Sequence, residues 1–207
     1  VITDVMAPDT RDRPPFSAIW PMLEYSRNVF LSPADPSLTF IHPDKVFYPS
    51  LDPDDAYSSY AYNAIVFAGH RRTLESVSDG TSTTISLVEH YARCAETKWV
   101  IFIFSLQSSS GDGGSRRPSF ADRYYGDVYP LTLDGNPVVT IPSLGSVTFQ
   151  VKPGLMESNA MIPQTPHSSG MLVGMLDGSV RTIRSGINPS IFWGAVTPSS
   201  GEVLGDF

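Results

Sequence analysis

The chain has 207 residues, of which 41% are hydrophobic and 11% aromatic, enough to bury the core of one domain. Its formal net charge of −7 and its scattered basic residues exclude an electrostatic surface for nucleic acid, which needs clustered Lys and Arg. The sequence contains no apolar run of about 18 residues, the length that a membrane-spanning helix needs. Its 18 Pro and 16 Gly favour short elements joined by turns, so we expect a single β-rich or α+β domain over residues 1–207.

The N-terminal region, residues 1–56, is predicted to be irregular except for one short helix over residues 16–28. Five prolines between residues 30 and 53 exclude a helix or a central strand there. An acidic cluster ends this region and consists of Asp52, Asp54 and Asp55. A solvated turn is the simpler interpretation of the cluster. A loose calcium site, built from carboxylate and carbonyl oxygens, is the alternative.

Three strands are predicted next, over residues 59–67, 81–90 and 99–106. The third is a continuous apolar run, which indicates burial on both faces. Asp79 and Gly80 provide a turn signal before the second strand. Residues 107–126 are an excursion rich in Ser, Gly and Arg. Part of this excursion is predicted to be mobile, because its low apolar content cannot offset the entropy of ordering.

Two hairpins are predicted in the C-terminal half. The first joins residues 138–141 to residues 146–151. The second joins residues 171–176 to residues 179–183 around Asp177 and Gly178. An Asp-Gly pair between two apolar runs predicts a type I′ turn, because both central residues of that turn need a positive φ.

The last predicted element is a short helix that ends at Val196. Asn188 is its expected N-cap, and Pro189 its expected first residue, because proline has no N–H to leave unpaired there. Ile191, Phe192 and Ala195 would share one apolar face. Residues 201–207 are expected to pack against the sheet or pair with it as a terminal lock.

No catalytic motif is present in the sequence. There is no G-x-S-x-G, no P-loop and no EF-hand loop, and the histidines at positions 42, 70, 90 and 167 lack zinc-site spacing. We therefore expect no enzyme activity and no cofactor. His167 is interpreted as a side chain that fixes a loop by hydrogen bonds to the backbone, and the single Cys94 as a small, partly buried apolar residue.

Two groups of tyrosines are candidate binding residues, Tyr57, Tyr60 and Tyr62 in the first and Tyr124, Tyr125 and Tyr129 in the second. Aromatic rings of this kind can form a face that binds a glycan or a protein partner. Half-buried positions on a strand explain the first group equally well.

Five short segments follow one another in a fixed order. They are Phe16 to Tyr25, Phe30-Leu-Ser-Pro-Ala-Asp-Pro-Ser37, Ser59-Tyr-Ala-Tyr-Asn63, the stretch from Val77 to Glu89 that contains Asp79-Gly80-Thr81, and His167 followed after nine residues by Asp177-Gly178. In this order they resemble the motifs of a large pilin-like family of unknown detailed function, expanded in planctomycete bacteria. Members begin with a prepilin-type cleavage and methylation signal on a hydrophobic helix and are usually grouped with the major pseudopilins of type II secretion.

The resemblance implies an α+β fold, namely a pilin-like head with an antiparallel sheet and long irregular loops. The sheet would cover an N-terminal hydrophobic helix, which we expect upstream of Val1. It also implies that an apolar strip is exposed on the sheet when that helix is absent. Ser32 stands where the family has a cysteine, which removes the expectation of a disulfide at that position.

The implied function is that of a structural subunit of a pilus or pseudopilus. Such a subunit would lie in the periplasm or at the cell surface, anchored to the inner membrane only through the upstream helix before assembly. Its partners would be other pilin or pseudopilin subunits. The alternative function is a surface-displayed module that binds a glycan or a solute.

The motif residues are assigned an architectural role by this resemblance. The side chains concerned are His167, Asp177, Gly178, Asp79 and Gly80. Major pseudopilins bind calcium in a C-terminal loop, but the sequence around Asp177 has no clear match to that acidic loop. No metal ligand is therefore assigned there, and calcium remains the alternative only for the acidic cluster.

Overall fold

A computed structural model describes residues 29–39, 57–67, 73–94, 99–101, 114–116, 118–121, 148–160 and 162–199. Several predicted features lie outside these residues: the helix over 16–28, the acidic cluster at Asp52, Asp54 and Asp55, the second tyrosine group, most of the first hairpin and the tail over 201–207. The described residues form an α+β structure with a mostly antiparallel sheet and few helices.

The described residues contain ten short strands. They are β1 (Tyr60–Asn63), β2 (Ile85–Glu89), β3 (Arg93–Cys94), β4 (Trp99–Ile101), β5 (Gly114–Arg116), β6 (Ser119–Phe120), β7 (Gln150–Val151), β8 (Gln164–Thr165), β9 (Gly170–Met175) and β10 (Val180–Arg184). The α-helices that lie wholly within the described residues are α1 (Ala64–Phe67) and α2 (Pro189–Val196), and 3-10 helices lie at Pro36–Thr39, Leu74–Ser76 and Leu155–Glu157.

The main sheet has five strands in the order β10-β9-β2-β1-β6. Every pair in it is antiparallel except β1 with β6. Alternate residues of each strand point to opposite faces. One face forms the core together with α2, and this hydrophobic cluster includes Ala61, Ile85, Val88, Phe120, Met171, Val173, Met175, Ile183, Phe192, Trp193 and Val196. The smaller sheets are β3-β4-β5 and β7-β8.

Helix α2 confirms the prediction for the C-terminal helix. The side chain of Asn188 accepts a hydrogen bond from the backbone N–H of Ser190 at 2.9 Å, and Pro189 occupies the first turn. Phe192 is fully buried, and its ring lies 5.0 Å from that of Trp193 in an edge-on arrangement. The helix therefore starts by local capping and is held by burial of its apolar side chains.

The strand predicted over residues 59–67 was too long. β1 ends at Asn63, and the chain continues as the single turn α1. The side-chain oxygen of Asn63 accepts a hydrogen bond from the N–H of Ile65 at 3.0 Å, which starts this turn in spite of the β-branched residues in it. The second predicted strand was shortened for a similar reason, because the hydroxyl of Thr84 bonds to the carbonyl oxygen of Gly80 at 2.9 Å.

Part of the excursion over residues 107–126 is built into the sheets. β5 pairs with β4, and β6 pairs with β1. Phe120 has no exposed surface, and Ser119 is 1% exposed. The segment as a whole has a low apolar content, but one of its aromatic side chains, that of Phe120, is buried in the core. The remainder of the excursion lies outside the described residues.

The β9–β10 hairpin is confirmed, but its predicted turn type was wrong. The N–H of Gly178 donates to the carbonyl oxygen of Met175 at 3.1 Å, and the N–H of Met175 donates to the carbonyl oxygen of Ser179 at 2.8 Å. Of the two predicted turn residues, only Gly178 has a positive φ, at 85°. This geometry is a three-residue connection with glycine in the bulge position, in which the preceding Asp177 needs no positive φ.

Candidate functional site

The carboxylate of Glu89, at the end of β2, is the centre of a buried polar network. Glu89 is 5% exposed although it lies on the sheet face opposite α2. Its Oε2 accepts hydrogen bonds from the hydroxyl of Thr165 at 2.7 Å and from the N–H of Leu172 at 3.0 Å. Its Oε1 lies 3.2 Å from Nε2 of His167. Both oxygens of this carboxylate are therefore bound within the fold.

The structure places the His167 side chain on this carboxylate and not on the backbone as predicted. The bond that fixes the loop comes from the backbone of His167, because its N–H donates to the hydroxyl of Thr165 at 3.1 Å. The side chain is 42% exposed, so one edge of the ring faces solvent. A buried carboxylate was the better partner, because burying it without donors would be costly.

The role predicted for His167 is carried out by His90. This residue is 2% exposed, and its Nδ1 lies 2.7 Å from the carbonyl oxygen of Tyr91. Its Nε2 lies 3.1 Å from the carbonyl oxygen of Ala160. The ring therefore lies between a backbone carbonyl oxygen at the end of β2 and one in the loop that precedes β8, and a neutral ring donates its single N–H to one of the two.

A second buried carboxylate, that of Asp35, joins three segments. Asp35 is 5% exposed. Its Oδ1 accepts a hydrogen bond from the N–H of Ser37 at 2.8 Å. Its Oδ2 accepts from the hydroxyl of Ser59 at 2.7 Å and from the N–H of Ala92 at 2.9 Å. The Asp-Pro-Ser segment is thus attached to the start of β1 and to the chain before β3.

Tyr91 follows Glu89 by two positions and is 2% exposed. Burial raises the pKa of its phenol to about 12, and the negative charges of Asp35, Cys94 and Glu89 act in the same direction. The phenol is therefore neutral throughout the physiological range. Cys94, which was predicted to be partly buried, is fully buried.

The two Asp-Gly motifs meet at one end of the main sheet. The N–H of Asp177 donates to the carbonyl oxygen of Thr81 at 3.0 Å, in the turn that begins with Asp79 and Gly80. Gly80 has a φ of 95°, which explains the glycine at this position. Hydrogen bonds from the hydroxyl and the N–H of Ser179 lower the pKa of the exposed Asp177 carboxyl. Both motifs contribute turn geometry here.

An apolar strip crosses the face of the main sheet opposite α2. It consists of Phe67, Leu87, Leu172 and Val180, whose exposed fractions are 48%, 46%, 42% and 70%. Gly174 of β9 pairs with Leu87 of β2 and with Val180 of β10, so no side chain stands between these two residues in the strip. The ring of Tyr62 makes an edge-on contact with that of Phe67, at 6.2 Å between centroids.

Two negative findings apply to the part of the chain that the structure describes. It contains no group of three or more His, Cys, Asp and Glu side chains that could hold a metal ion. It also contains no helix that is long and apolar enough to cross a membrane.

Of the first tyrosine group, Tyr57 is 6% exposed, while Tyr60 and Tyr62 are half-buried on the open face.

Residues 46–190 match the protein family described as protein of unknown function (DUF1559). This range covers well over half of the 207 residues. The chain belongs to the DUF1559 family. It matches no curated protein and no solved structure. Three of the ordered motifs, those around Asn63, Glu89 and Asp177, fall inside the range that identifies this DUF1559 chain.

Sequence reasoning did not predict that Glu89, Asp35 and Asn63 anchor the polar network of this DUF1559 protein. Each belongs to one of the ordered motifs, but the resemblance to the family assigned none of them a structural role. For Glu89 a signal was available, because a carboxylate follows the apolar run Ile85–Val88 on a strand where a polar residue needs partners. Its partners Thr165 and Leu172 come from later in the chain, and periodicity does not show such distant contacts.

Proposed function

We propose that this DUF1559 chain is the globular head of a pilin-like structural subunit of the bacterial cell envelope. In this proposal a hydrophobic N-terminal helix anchors the subunit in the inner membrane and joins it to related subunits. The head is displayed in the periplasm or at the cell surface. Its described residues hold the sheet and its loops in shape and perform no reaction.

The observation that carries the proposal is the apolar strip on the open face of the main sheet. Leu87, Leu172 and Val180 lie on three adjacent strands and are each more than two-fifths exposed. Large apolar side chains that are gathered on one face of a soluble domain mark a contact surface. A helix that packs on this face would remove these side chains from water, which is worth about 25 cal/mol for each Å² covered.

The polar motif residues support a structural role for a different reason. A carboxylate that acts as a nucleophile, a general acid or a general base must offer a free oxygen to the substrate or its proton. In Glu89 and in Asp35, both carboxylate oxygens instead bind groups within the fold. Their hydrogen bonds connect the segments around β1, β2, β8 and β9, and the sheet geometry depends on them.

The first test of the proposal is the N-terminal sequence of the full-length gene product. The proposal requires a hydrophobic helix of about 20 residues preceded by a short basic leader. A full-length protein without this helix would overturn the assembly part of the proposal.

The second test places a charge on the strip. Leu172→Lys in the full-length protein should prevent incorporation into cell-envelope fibres, while changing the unfolding free energy of the head by less than about 0.5 kcal/mol. Leu74→Lys is the matched control, because Leu74 is 62% exposed and lies on a 3-10 helix, outside the strands that carry the strip. Equal assembly of both variants would contradict a contact role for the strip.

A surface-displayed binding module is the second candidate function. The half-buried Tyr60 and Tyr62 lie on the same open face as the strip, and Tyr62 contacts the exposed ring of Phe67. Exposed aromatic rings of this kind can stack on a sugar. A glycan array followed by calorimetry tests this candidate, and Phe67→Ala should abolish any binding found. Absence of any ligand from both measurements would exclude it.

A further inference from the structure

The ring of His167 keeps one nitrogen available on the face of the main sheet that carries the strip. Its Nε2 lies 3.2 Å from Oε1 of Glu89. A carboxylate oxygen accepts hydrogen bonds, so this contact places a proton on Nε2 and, in a neutral ring, leaves Nδ1 as an acceptor. No described residue bonds to Nδ1, and the side chain is 42% exposed. Glu89 therefore orients a ring whose second nitrogen can accept a hydrogen bond from a ligand.

Arg184, the last residue of β10, points to the same face of the sheet. Ile183 has no exposed surface and belongs to the core, so Thr182 and Arg184 point to the opposite face by the alternation of a strand. Both are exposed. No described carboxylate lies within ion-pair distance of the Arg184 guanidinium. In a chain with a formal net charge of −7, this cation is a local binding point for an anionic group.

The loop that carries His167 adjoins the end of β10. Arg184 pairs with Gly170, which follows His167 by three positions. The N–H of Ser185 donates to the carbonyl oxygen of Ser169 at 3.4 Å. The imidazole and the guanidinium therefore belong to the same end of the sheet and to the same face of it.

The strand register places an aromatic side chain beside Glu89. Tyr60 of β1 pairs with Glu89 of β2, and Leu172 of β9 pairs with Thr182 of β10. The N–H of Leu172 donates to the Glu89 side chain, so these four residues form one row across the sheet. The row spans three strand spacings, about 14 Å, and Arg184 lies about 7 Å beyond Thr182 along β10. Tyr60 is half-buried, so part of its side chain is accessible at one end of the row.

The three groups differ in the ligand chemistry that each can bind. A guanidinium forms paired hydrogen bonds with the two oxygens of a carboxylate. The Nδ1 of a neutral imidazole accepts a hydrogen bond from a hydroxyl, and a tyrosine ring packs on an apolar surface while its own hydroxyl binds a polar group. A sugar ring that carries a carboxylate offers all of these partners, namely a C–H face, hydroxyl groups and an anion.

The charges around the row favour a single carboxylate over a dense polyanion. Nucleic acids and anionic lipid surfaces require clusters of basic side chains, and Arg184 is the single arginine beside this row of described residues. Glu89 carries the opposite charge, but its oxygens bind donors of Thr165, Leu172 and His167. One carboxylate on the guanidinium therefore fits the site, while a dense row of phosphates does not.

We propose that Tyr60, His167 and Arg184 form a binding site for an acidic glycan, a sugar chain that carries a uronic acid. The guanidinium binds the carboxylate, Nδ1 of the imidazole accepts a hydrogen bond from a ring hydroxyl, and Tyr60 packs against the face of a neighbouring sugar. Tyr62 extends the aromatic end of the site toward Phe67. The proposal rests on the second candidate function, the surface-displayed binding module, and names the class of its ligand.

The first experiment is isothermal titration calorimetry of the full chain with trigalacturonate. The methyl ester of trigalacturonate is the matched control, because it keeps the sugar rings and their hydroxyls and removes the charges. We expect trigalacturonate to bind at least about tenfold more tightly than the ester, since paired charged hydrogen bonds need the carboxylate. Equal affinity for the two probes, or no binding of trigalacturonate at millimolar concentration, overturns the proposal.

The glycan array that tests the second candidate function distinguishes two kinds of failure. A chain that binds another glycan on the array but not trigalacturonate keeps the binding function and loses this site. A chain that binds no glycan loses both. The pilin-like role depends on the upstream helix and the strip and is tested separately.

The second experiment removes the guanidinium. Arg184→Gln should weaken the binding of trigalacturonate at least about tenfold and leave that of the ester unchanged within about twofold. Arg181→Gln is the matched control, because it removes the same charge from β10 on the face that carries Ile183, and it should leave both affinities unchanged within about twofold. A similar loss in both variants would show that only the overall charge of the chain acts, and would overturn the assignment.

A third variant tests the imidazole. His167→Phe removes Nδ1 and keeps an aromatic ring, so it should weaken both probes by the same factor, about threefold to tenfold. A histidine with a structural role alone would change the melting temperature and leave both affinities as they are. That outcome in a folded His167→Phe chain would overturn the proposed site. The Arg184→Gln result decides the proposal whether or not His167→Phe folds.

Discussion

The Oε1 atom of Glu89 lies 3.2 Å from Nε2 of His167, so the end of β2 is joined to the loop that precedes β9. The two residues belong to different motifs of the ordered series. The half-exposed imidazole thus binds one oxygen of a buried carboxylate, and the hydroxyl of Thr165 donates to the other oxygen at 2.7 Å. The pair acts as a connection between segments that are distant in the sequence.

The first prediction concerns the two members of this pair. Glu89→Ala should lower the free energy of unfolding by about 1–3 kcal/mol, because it leaves the Leu172 N–H without its acceptor and removes the hydrogen bond of the buried Thr165 hydroxyl to the carboxylate. His167→Ala should cost only about 1 kcal/mol or less, because its side chain is 42% exposed. Urea unfolding of the two variants and the parent chain measures both changes.

The same variants distinguish an architectural histidine from a catalytic one. An architectural His167 lowers the melting temperature when it is replaced and affects no reaction. A catalytic His167 would abolish a measurable activity and leave the melting temperature unchanged. A larger loss of stability in His167→Ala than in Glu89→Ala would contradict a network centred on the carboxylate.

Local signals were sufficient to predict α2 and the β9–β10 hairpin. Asn188 and Pro189 set the start of the helix within the residues that form it, and Asp177 with Gly178 marks a reversal between two apolar runs. The turn type was missed because the Asp-Gly pair is compatible with more than one hairpin connection. The choice between them depends on how β9 and β10 are registered, and the hydrogen bond between Asp177 and Thr81 adds a further constraint.

The polar network could not be predicted, because its contacts join residues that are far apart in the sequence. Thr165 and Glu89 are separated by 76 positions, and Asp35 and Ala92 by 57. Periodicity assigns a residue to a face and leaves its partner open. Asn63 illustrates the limit, because a residue at the end of a predicted strand binds the end of a helix 133 positions later.

The second prediction concerns Asn63, which has no exposed surface. Its amide donates to the carbonyl oxygens of Ile85 and Val196, and its oxygen accepts from Ile65. Asn63→Ala should cost about 2–3 kcal/mol of unfolding free energy, because three buried backbone groups lose a partner. Asn188→Ala removes only an exposed N-cap and should cost about 1 kcal/mol. Equal losses in the two variants, measured by urea unfolding, would contradict this account.

The third prediction concerns pH and Tyr91. The folded chain holds the phenol proton up to a pKa of about 12, whereas an unfolded chain loses it near its usual pKa of about 10. The folded state therefore binds more protons between these values. The stabilisation is complete below about pH 10 and is lost as the pH rises toward 12.

Tyr91→Phe should consequently reduce the loss of stability between about pH 9 and about pH 11 by about 1 kcal/mol. Tyr60→Phe is the matched control for removal of one phenol hydroxyl, because Tyr60 lies half-buried on β1. Urea unfolding at both pH values gives the difference for each variant. A Tyr91→Phe chain with the same alkaline loss as the parent would contradict the assignment.

The fourth prediction concerns calcium. The acidic cluster at Asp52, Asp54 and Asp55 is interpreted first as a solvated turn, so a chelator should leave the melting temperature unchanged. A calcium site would behave differently, because calcium at 100 times its dissociation constant stabilises the folded chain by about 2.7 kcal/mol. Melting curves with added calcium and with chelator measure this difference. A rise in the melting temperature with calcium that is lost in Asp54→Asn would establish the alternative.

The fifth prediction compares two glycines of β9 that face neighbouring strands. A Cβ atom on Gly170 would overlap the carbonyl oxygen of Ile183 and would lie 2.9 Å from Cα of Arg184, so the β9–β10 pair would have to separate. Gly170→Ala should cost several kcal/mol, because backbone atoms cannot give way as a flexible side chain can. On Gly174 the added Cβ would meet Leu87 Cβ at 3.5 Å, an ordinary contact.

Gly174→Ala is therefore the matched control. Its unfolding free energy should stay within about 0.5 kcal/mol of the parent value. The close approach at Gly170 matters for the whole network, because its carbonyl oxygen lies 3.1 Å from the hydroxyl of Thr165, which binds Glu89. Gly170→Ala should accordingly expose His167 as well, and the exchange rate of the Leu172 amide should rise with it. Similar melting temperatures for the two variants would show that β10 can move away from β9 at little cost.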